Sequence, residues 1–260
     1  MNTPYTIILG AEGELGRALA REVARKGCNL LLISTTSIDL LRFGIGLQLK
    51  HDIQVQAIKL DLSNQEEIQA LINRIKDQYE LRALINNITC DWSSAKNTCI
   101  SDLAKDDFQT RFRGAALFTM NLLPQMRDLS SSFIQHIIPF PFRKEHFSTD
   151  LQHSVAKMYA FTKELEEQLK HSGVSVSMVH PAPIKNIMQK MENIGRIFEE
   201  DFQTLAPGFI AMKAINGMLR GDHLIIPGLR NKIQFYLNRH ATSWFRTTEE
   251  SYDSGLQPSI

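Results

Sequence analysis

The step from Tyr5-Thr6-Ile7-Ile8-Leu9 into Gly10-Ala11-Glu12-Gly13-Glu14-Leu15-Gly16 restricts the fold more than any other stretch of this 260-residue chain. A short apolar run bounded by glycine reads as a buried strand, and Leu15, Ala18, Leu19 and Val23 then recur at helical spacing. The glycines therefore stand where a strand hands over to a helix. A Gly-rich loop there lets backbone approach a pyrophosphate, while the free N–H groups and positive end of the helix attract its charge. The expectation is a dinucleotide site; a tight glycine turn in any α/β protein is the other reading. The spacing Gly10-x-x-Gly13-x-x-Gly16 departs from Gly-x-Gly-x-x-Gly, and Glu12 and Glu14 stand where an anion should approach.

The strand and helix pattern then repeats. Asn29 to Ser34 is a second apolar run, Ile53 to Leu60 alternates like a third strand, and Leu81 to Ile85 is a fourth. Between the third and fourth, Ser63 and Glu66 have capping-box spacing ahead of a helix face of Ile68, Leu71, Ile72 and Ile75. This alternation predicts a doubly wound, mostly parallel sheet with helices on both faces. Ligands of such sheets meet the carboxyl ends of the strands. Ser34, Thr35, Thr36 and Ser37 follow the second strand, where an acid would bond ribose hydroxyls and an arginine a 2′-phosphate. Their hydroxyls can bond a phosphate or ribose, or cap the next helix. Asp61, with Leu62, can touch an adenine or start a helix; Asn86 and Asn87 can hold a ligand or local backbone.

Further on, Asp107 to Met126 carries a broad apolar helical stripe, and Phe133 to Ile138 reads as a fifth strand stopped by Pro139. The helix predicted over Leu151 to Lys170 places Tyr159 and Lys163 four residues apart on one face. An ammonium beside a phenol lowers the tyrosine pKa from about 10, the chemistry of a general acid for a carbonyl oxygen. Charge narrows the partners: Lys and Arg number 29 and Asp and Glu 28, for a formal charge of +1, which offers no field for nucleic acid or an anionic membrane. Small-molecule partners are expected. Cys28, Cys90 and Cys99 lack paired metal-ligand spacing, no metal site is expected, and no run approaches the roughly 18 apolar residues of a membrane span. The expectation is one domain plus a short tail, soluble and cytoplasmic.

In order and spacing, Gly10 to Gly16, Asp61-Leu62, Asn86-Asn87, Leu123-Pro124, Tyr159-x-x-x-Lys163 and Val179-His180-Pro181 make the chain similar to the short-chain dehydrogenase/reductase family. The resemblance implies a seven-stranded Rossmann-like sheet over residues 1–232, a variable lid at about 183–205, and an arm or tail over 233–260. It implies a homodimer or homotetramer that interconverts a carbonyl and an alcohol on a partly apolar substrate. The nicotinamide cofactor would lie along Gly10, Glu12, Gly13, Glu14, Leu15, Gly16, Ser34, Thr35, Thr36, Asp61, Leu62, Asn86, Asn87, Ile88 and Pro181. Tyr159 would protonate the carbonyl oxygen while Lys163 holds the nicotinamide ribose. Lack of an acid at Thr35 leans towards NADP(H) over NAD(H).

Departures from the family pattern favour a second reading, a catalytically weak nucleotide-binding sensor or scaffold. Glu14 replaces a glycine, Ile88-Thr89 replaces Ala-Gly, and Ala182 a glycine. Arg111 stands in place of an asparagine, and Ile138-Pro139 where a serine is usual. Arg111, Ser148 and Ser154 are then the candidates for touching substrate.

Overall fold

The computed structural model describes residues 3–35, 38–89, 102–138, 149–181 and 205–241. Seven parallel strands form one sheet: β1 (Tyr5–Leu9), β2 (Asn29–Ser34), β3 (Val55–Lys59), β4 (Leu81–Asn87), β5 (Ser132–Ile137), β6 (Val174–Val179) and β7 (Leu224–Ile225), in the order β3-β2-β1-β4-β5-β6-β7. Helices cover both faces, so β1 and β2 are buried along their whole length and read as unbroken apolar runs. The edge strand β3 is only half-buried, with Gln56 and Lys59 exposed. Strand order reverses between β1 and β4, which opens a crevice at their carboxyl ends.

One face carries α1 (Glu14–Ala24), α2 (Ile38–His51) and α6 (Pro207–Arg220), with Leu15, Leu19, Leu40, Ile210 and Ile215 packed on Ile8, Leu30 and Leu32. The other carries α3 (Gln65–Gln78), α4 (Asp102–Arg127) and α5 (Thr149–Leu169), with Ile72, Phe108, Phe118, Met158 and Leu165 around Ile7, Leu84 and Ile134. Each right-handed crossover sends its helix back antiparallel to the strands. The N-terminal ends of α1 and α5 therefore rise towards the carboxyl edge.

Two expectations change. Helix α3 is capped by Asn64, whose Oδ1 accepts from the backbone N–H groups of Glu66 (3.1 Å) and Glu67 (3.2 Å), and not by Ser63. Asn64→Ala is expected to cost about 1 kcal/mol, read from urea unfolding. The boundary at 232/233 does not hold either, because α7 (Leu229–Ala241) runs through it and Phe235 on that helix is fully buried. Of the expected lid, residues 183–204 lie outside the described residues, as do 242–260 of the expected tail.

Candidate functional site

The glycine loop is fixed by its neighbours. Gly10 has φ +76°, and a Cβ there would fall 2.3 Å from the carbonyl oxygen of Asn87. A Cβ on Gly16 would fall 2.3 Å from the carbonyl oxygen of Gly10. Asn87 Nδ2 donates to that same oxygen (2.9 Å), and the N–H groups of Gly10 and Ala11 donate to Ile33 O (3.0 and 3.2 Å). The loop is thus tied to both β4 and β2. Helix α1 begins after Gly13 with no side-chain cap, which leaves first-turn N–H groups facing the loop's open side.

The two glutamates part company. Glu14 is exposed at the start of α1, where its charge suits the helix dipole, and Leu15 turns into the core. Glu12 pairs with Arg111 of α4, with Arg111 Nη1 at 3.0 Å from Glu12 Oε1 and side chains 15% and 19% exposed. Arg17 Nε donates to Glu12 O (3.1 Å) and braces the loop from behind. Arg111 is therefore the ion-pair partner of the glycine loop.

A cleft beside the loop is lined by Leu9, Gly10, Glu12, Ser34, Thr35 and Leu62 among others. Ser34 is buried and Thr35 exposed at its mouth; Thr36 lies outside the described residues. Asp61 is occupied by its near neighbour. Its Oδ1 accepts from the Ser63 N–H (2.8 Å) and hydroxyl (2.7 Å), which hold its carboxyl below the usual range. Ile88 is buried in the core, its N–H donating to Ile137 O, so its branched side chain does not enter the crevice. Pro181 is buried just past β6.

Helix α5 carries the expected catalytic pair, Tyr159 and Lys163. Thr162 is fixed against the sheet by His136 Nδ1 (2.8 Å), in the row where Leu9, Asn86, His136, Met178 and Leu224 lie side by side. The ladder continues to the Ile138 N–H, which donates to Val179 O, about 7 Å higher at about 3.3 Å per residue. A helix rises about 1.5 Å per residue, so the Tyr159 backbone stands about 4.5 Å above Thr162 and that of Lys163 about 1.5 Å below it. The Tyr159 backbone therefore lies about 2.5 Å below the level of Ile138 and that of Lys163 about 8.5 Å below it. Lys163 Nζ turns to Glu166 Oε2 (2.9 Å), and Glu166 Oε1 lies 3.2 Å from His223 Nδ1, at the amino end of β7. The Tyr159 ring stacks on His180 (centroids 6.2 Å apart, planes 6° apart), and His180 in turn on Phe235 (5.3 Å). The two side chains have different partners, the Tyr159 ring on His180 and the Lys163 ammonium on Glu166. By the same rise Ser154 and Val155 stand about 12 and 10.5 Å above Thr162; both are buried, with Gln109 Nε2 at 3.5 Å from Ser154 Oγ. Ser148 lies outside the described residues.

Sequence reasoning missed a buried polar chain beneath the crevice. Thr162 Oγ1 donates to Met158 O (2.7 Å), so it accepts from His136 Nδ1; Nε2 then accepts from Thr119 Oγ1 (3.3 Å), which accepts from Asn86 Nδ2 (3.0 Å). Burial pushes the His136 pKa down to about 3. Burial also lowers that of His180 to about 4, against the opposing effect of its contact with Ile138 O. A histidine inside the apolar run Phe133 to Ile138 was the available signal.

Residues 5–196 match the short chain dehydrogenase family. The chain belongs to the short-chain dehydrogenase family. Its seven-stranded parallel Rossmann-like sheet is the fold of solved members. A bulky-bulky ketone specific alcohol dehydrogenase from Comamonas testosteroni superposes with TM-score 0.75 at 17% identity, over 100% of this chain and 97% of the other. A short-chain dehydrogenase from Sphingobium yanoikuyae in complex with NADPH gives 0.71 at 17% identity, over 99% and 98%. L-sorbose reductase from Gluconobacter frateurii, complexed with NADPH and L-sorbose, gives 0.69 at 15% identity, over 88% and 97%. No curated protein matches by sequence. Among the described residues, no helix is long and apolar enough to cross a membrane, and no group of three or more His, Cys, Asp or Glu could hold a metal ion.

Proposed function

We propose that this member of the short-chain dehydrogenase family binds a nicotinamide dinucleotide at the crevice of β1, β2 and β4 and acts as a nucleotide-responsive sensor or scaffold, not as a Tyr-Lys oxidoreductase. The single observation that carries this reading is the position of Lys163, whose ammonium lies on Glu166, itself 3.2 Å from His223 at the amino end of β7. The residues at the crevice suit a dinucleotide. The uncapped start of α1 takes the pyrophosphate, and Ser34 and Thr35 at the end of β2 stand on the side where the adenosine would lie. NADP(H) is preferred over NAD(H), since Thr35 brings no carboxylate to repel a 2′-phosphate; the NADPH held by the Sphingobium and Gluconobacter proteins supports this. The cofactor would supply hydride chemistry, while the Lys163 ammonium that would tune Tyr159 as a proton donor is engaged by Glu166. The apolar side chains of Leu229, Ile233 and Leu237, exposed along α7, support assembly as a homodimer or homotetramer.

A second reading keeps oxidoreductase activity on a carbonyl or alcohol, with Tyr159 as acid/base. Family membership and the dehydrogenase and reductase activities named for the similar structures favour it. NADPH oxidation with a panel of ketones, run on the wild type and on Tyr159→Phe and Lys163→Met, separates the two. The expected result is saturable NADPH binding, negligible turnover and no difference between the variants and the wild type. Robust turnover that collapses in Tyr159→Phe would establish the second reading.

A further inference from the structure

We propose that the Glu12–Arg111 pair is a latch on the dinucleotide site: without ligand Glu12 holds Arg111 across the open side of the glycine loop, and a bound pyrophosphate takes Arg111 for itself. The inference rests on the dinucleotide reading and names a control built into that site. The two partners come from separate elements, the loop before α1 and helix α4, so their contact closes one part of the molecule on another. Both side chains are more than four-fifths buried, which leaves their attraction little screened by salt. Glu12 is imperfectly satisfied: its Oε1 meets the guanidinium, while its Oε2 is buried with no hydrogen-bond partner among the described residues. A carboxylate left in that state gains from release to water.

Glu12 also lines the cleft beside Ser34 and Thr35, so an anion held at the glycine loop comes near its charge. Two anions brought close together repel unless a cation is shared between them. Arg111 is already beside the loop, and a planar guanidinium matches the oxygens of a phosphate as well as those of a carboxylate. The uncapped N–H groups of α1 face the same opening and add to the pull on the incoming anion. Glu12 therefore opposes the ligand in two ways, by its own charge and by occupying Arg111.

Calorimetric titration of the full chain with NADPH tests the latch, with thermal unfolding of each variant confirming that it folds. Glu12→Gln is expected to bind roughly tenfold more tightly than wild type and Arg111→Gln roughly tenfold more weakly, with Arg111→Lys between wild type and Arg111→Gln. The gain from Glu12→Gln is expected to shrink in the Arg111→Gln background, because part of it comes from freeing Arg111. An equal gain in both backgrounds, or binding that ignores both substitutions, overturns the latch and leaves the dinucleotide reading standing. Absence of binding by both the wild type and Glu12→Gln removes the dinucleotide reading and the latch with it.

Discussion

Lowering the pH from 7 to 5 is expected to remove about 4 kcal/mol of folding stability, through two histidines that the fold keeps neutral. His136 and His180 are fully buried, and burial depresses their pKa values from 6.5 to about 3 and about 4. The folded form therefore refuses protons that the unfolded chain accepts. Stability is complete above pH 6.5 and declines as the pH falls towards these depressed values. Between pH 6.5 and 5 the loss is about 2 kcal/mol per histidine. Against a usual total of about 5–15 kcal/mol the two together bring the protein close to its unfolding threshold. Urea unfolding at pH 7 and pH 5 measures this. His136→Leu breaks the Thr119–His136–Thr162 chain and lowers stability at neutral pH, yet it should halve the difference between the two pH values. Equal stability of the wild type at both would show that the buried imidazoles do not titrate as their surroundings require.

Gly10→Ala is expected to cost about 2–5 kcal/mol, from left-handed backbone strain of about 1–2 kcal/mol and overpacking of about 1–3 kcal/mol. The left-handed turn at Gly10 brings the chain against β4, and the added methyl would lie 2.3 Å from Asn87 O. Relief would require β1 and β4 to part, although their registered backbone ladder runs up to Leu9 and Asn86. Gly13→Ala is the control. Gly13 has φ −75°, an ordinary extended conformation at the helix start, so that variant should lose less than about 1 kcal/mol. Comparable losses in both would mean that the turn can relax, and that Gly10 serves ligand access more than the fold.

These two predictions also mark what could be read along the chain. Local pattern sufficed for the frame. The apolar runs at Ile7 to Leu9 and Leu30 to Ile33 became central buried strands, and the switch from strand to helix at Gly10 to Gly16 fell where it was expected. The site was less legible because its contacts join distant residues. Nothing near Glu12 announces Arg111, and nothing near Asn87 announces that its amide will close on Gly10 O. The pair Tyr159 and Lys163 shows the opposite hazard. Spacing of four residues fixes a shared helix face but not the height of that face against the sheet. A contact from another strand, His136 to Thr162, sets that height and leaves Lys163 to Glu166. Pattern likewise placed an arm after residue 232, whereas Phe235 is held in the core by the ring stack with His180.

The central proposal is a dinucleotide site without Tyr-Lys chemistry, and titration of the full chain with NADPH, followed by adding ketones to the saturated complex, tests it most directly. Saturable binding with no ketone-dependent loss of NADPH absorbance is the expected result. Ketone-dependent oxidation of NADPH that is abolished in both Tyr159→Phe and Lys163→Met would contradict it.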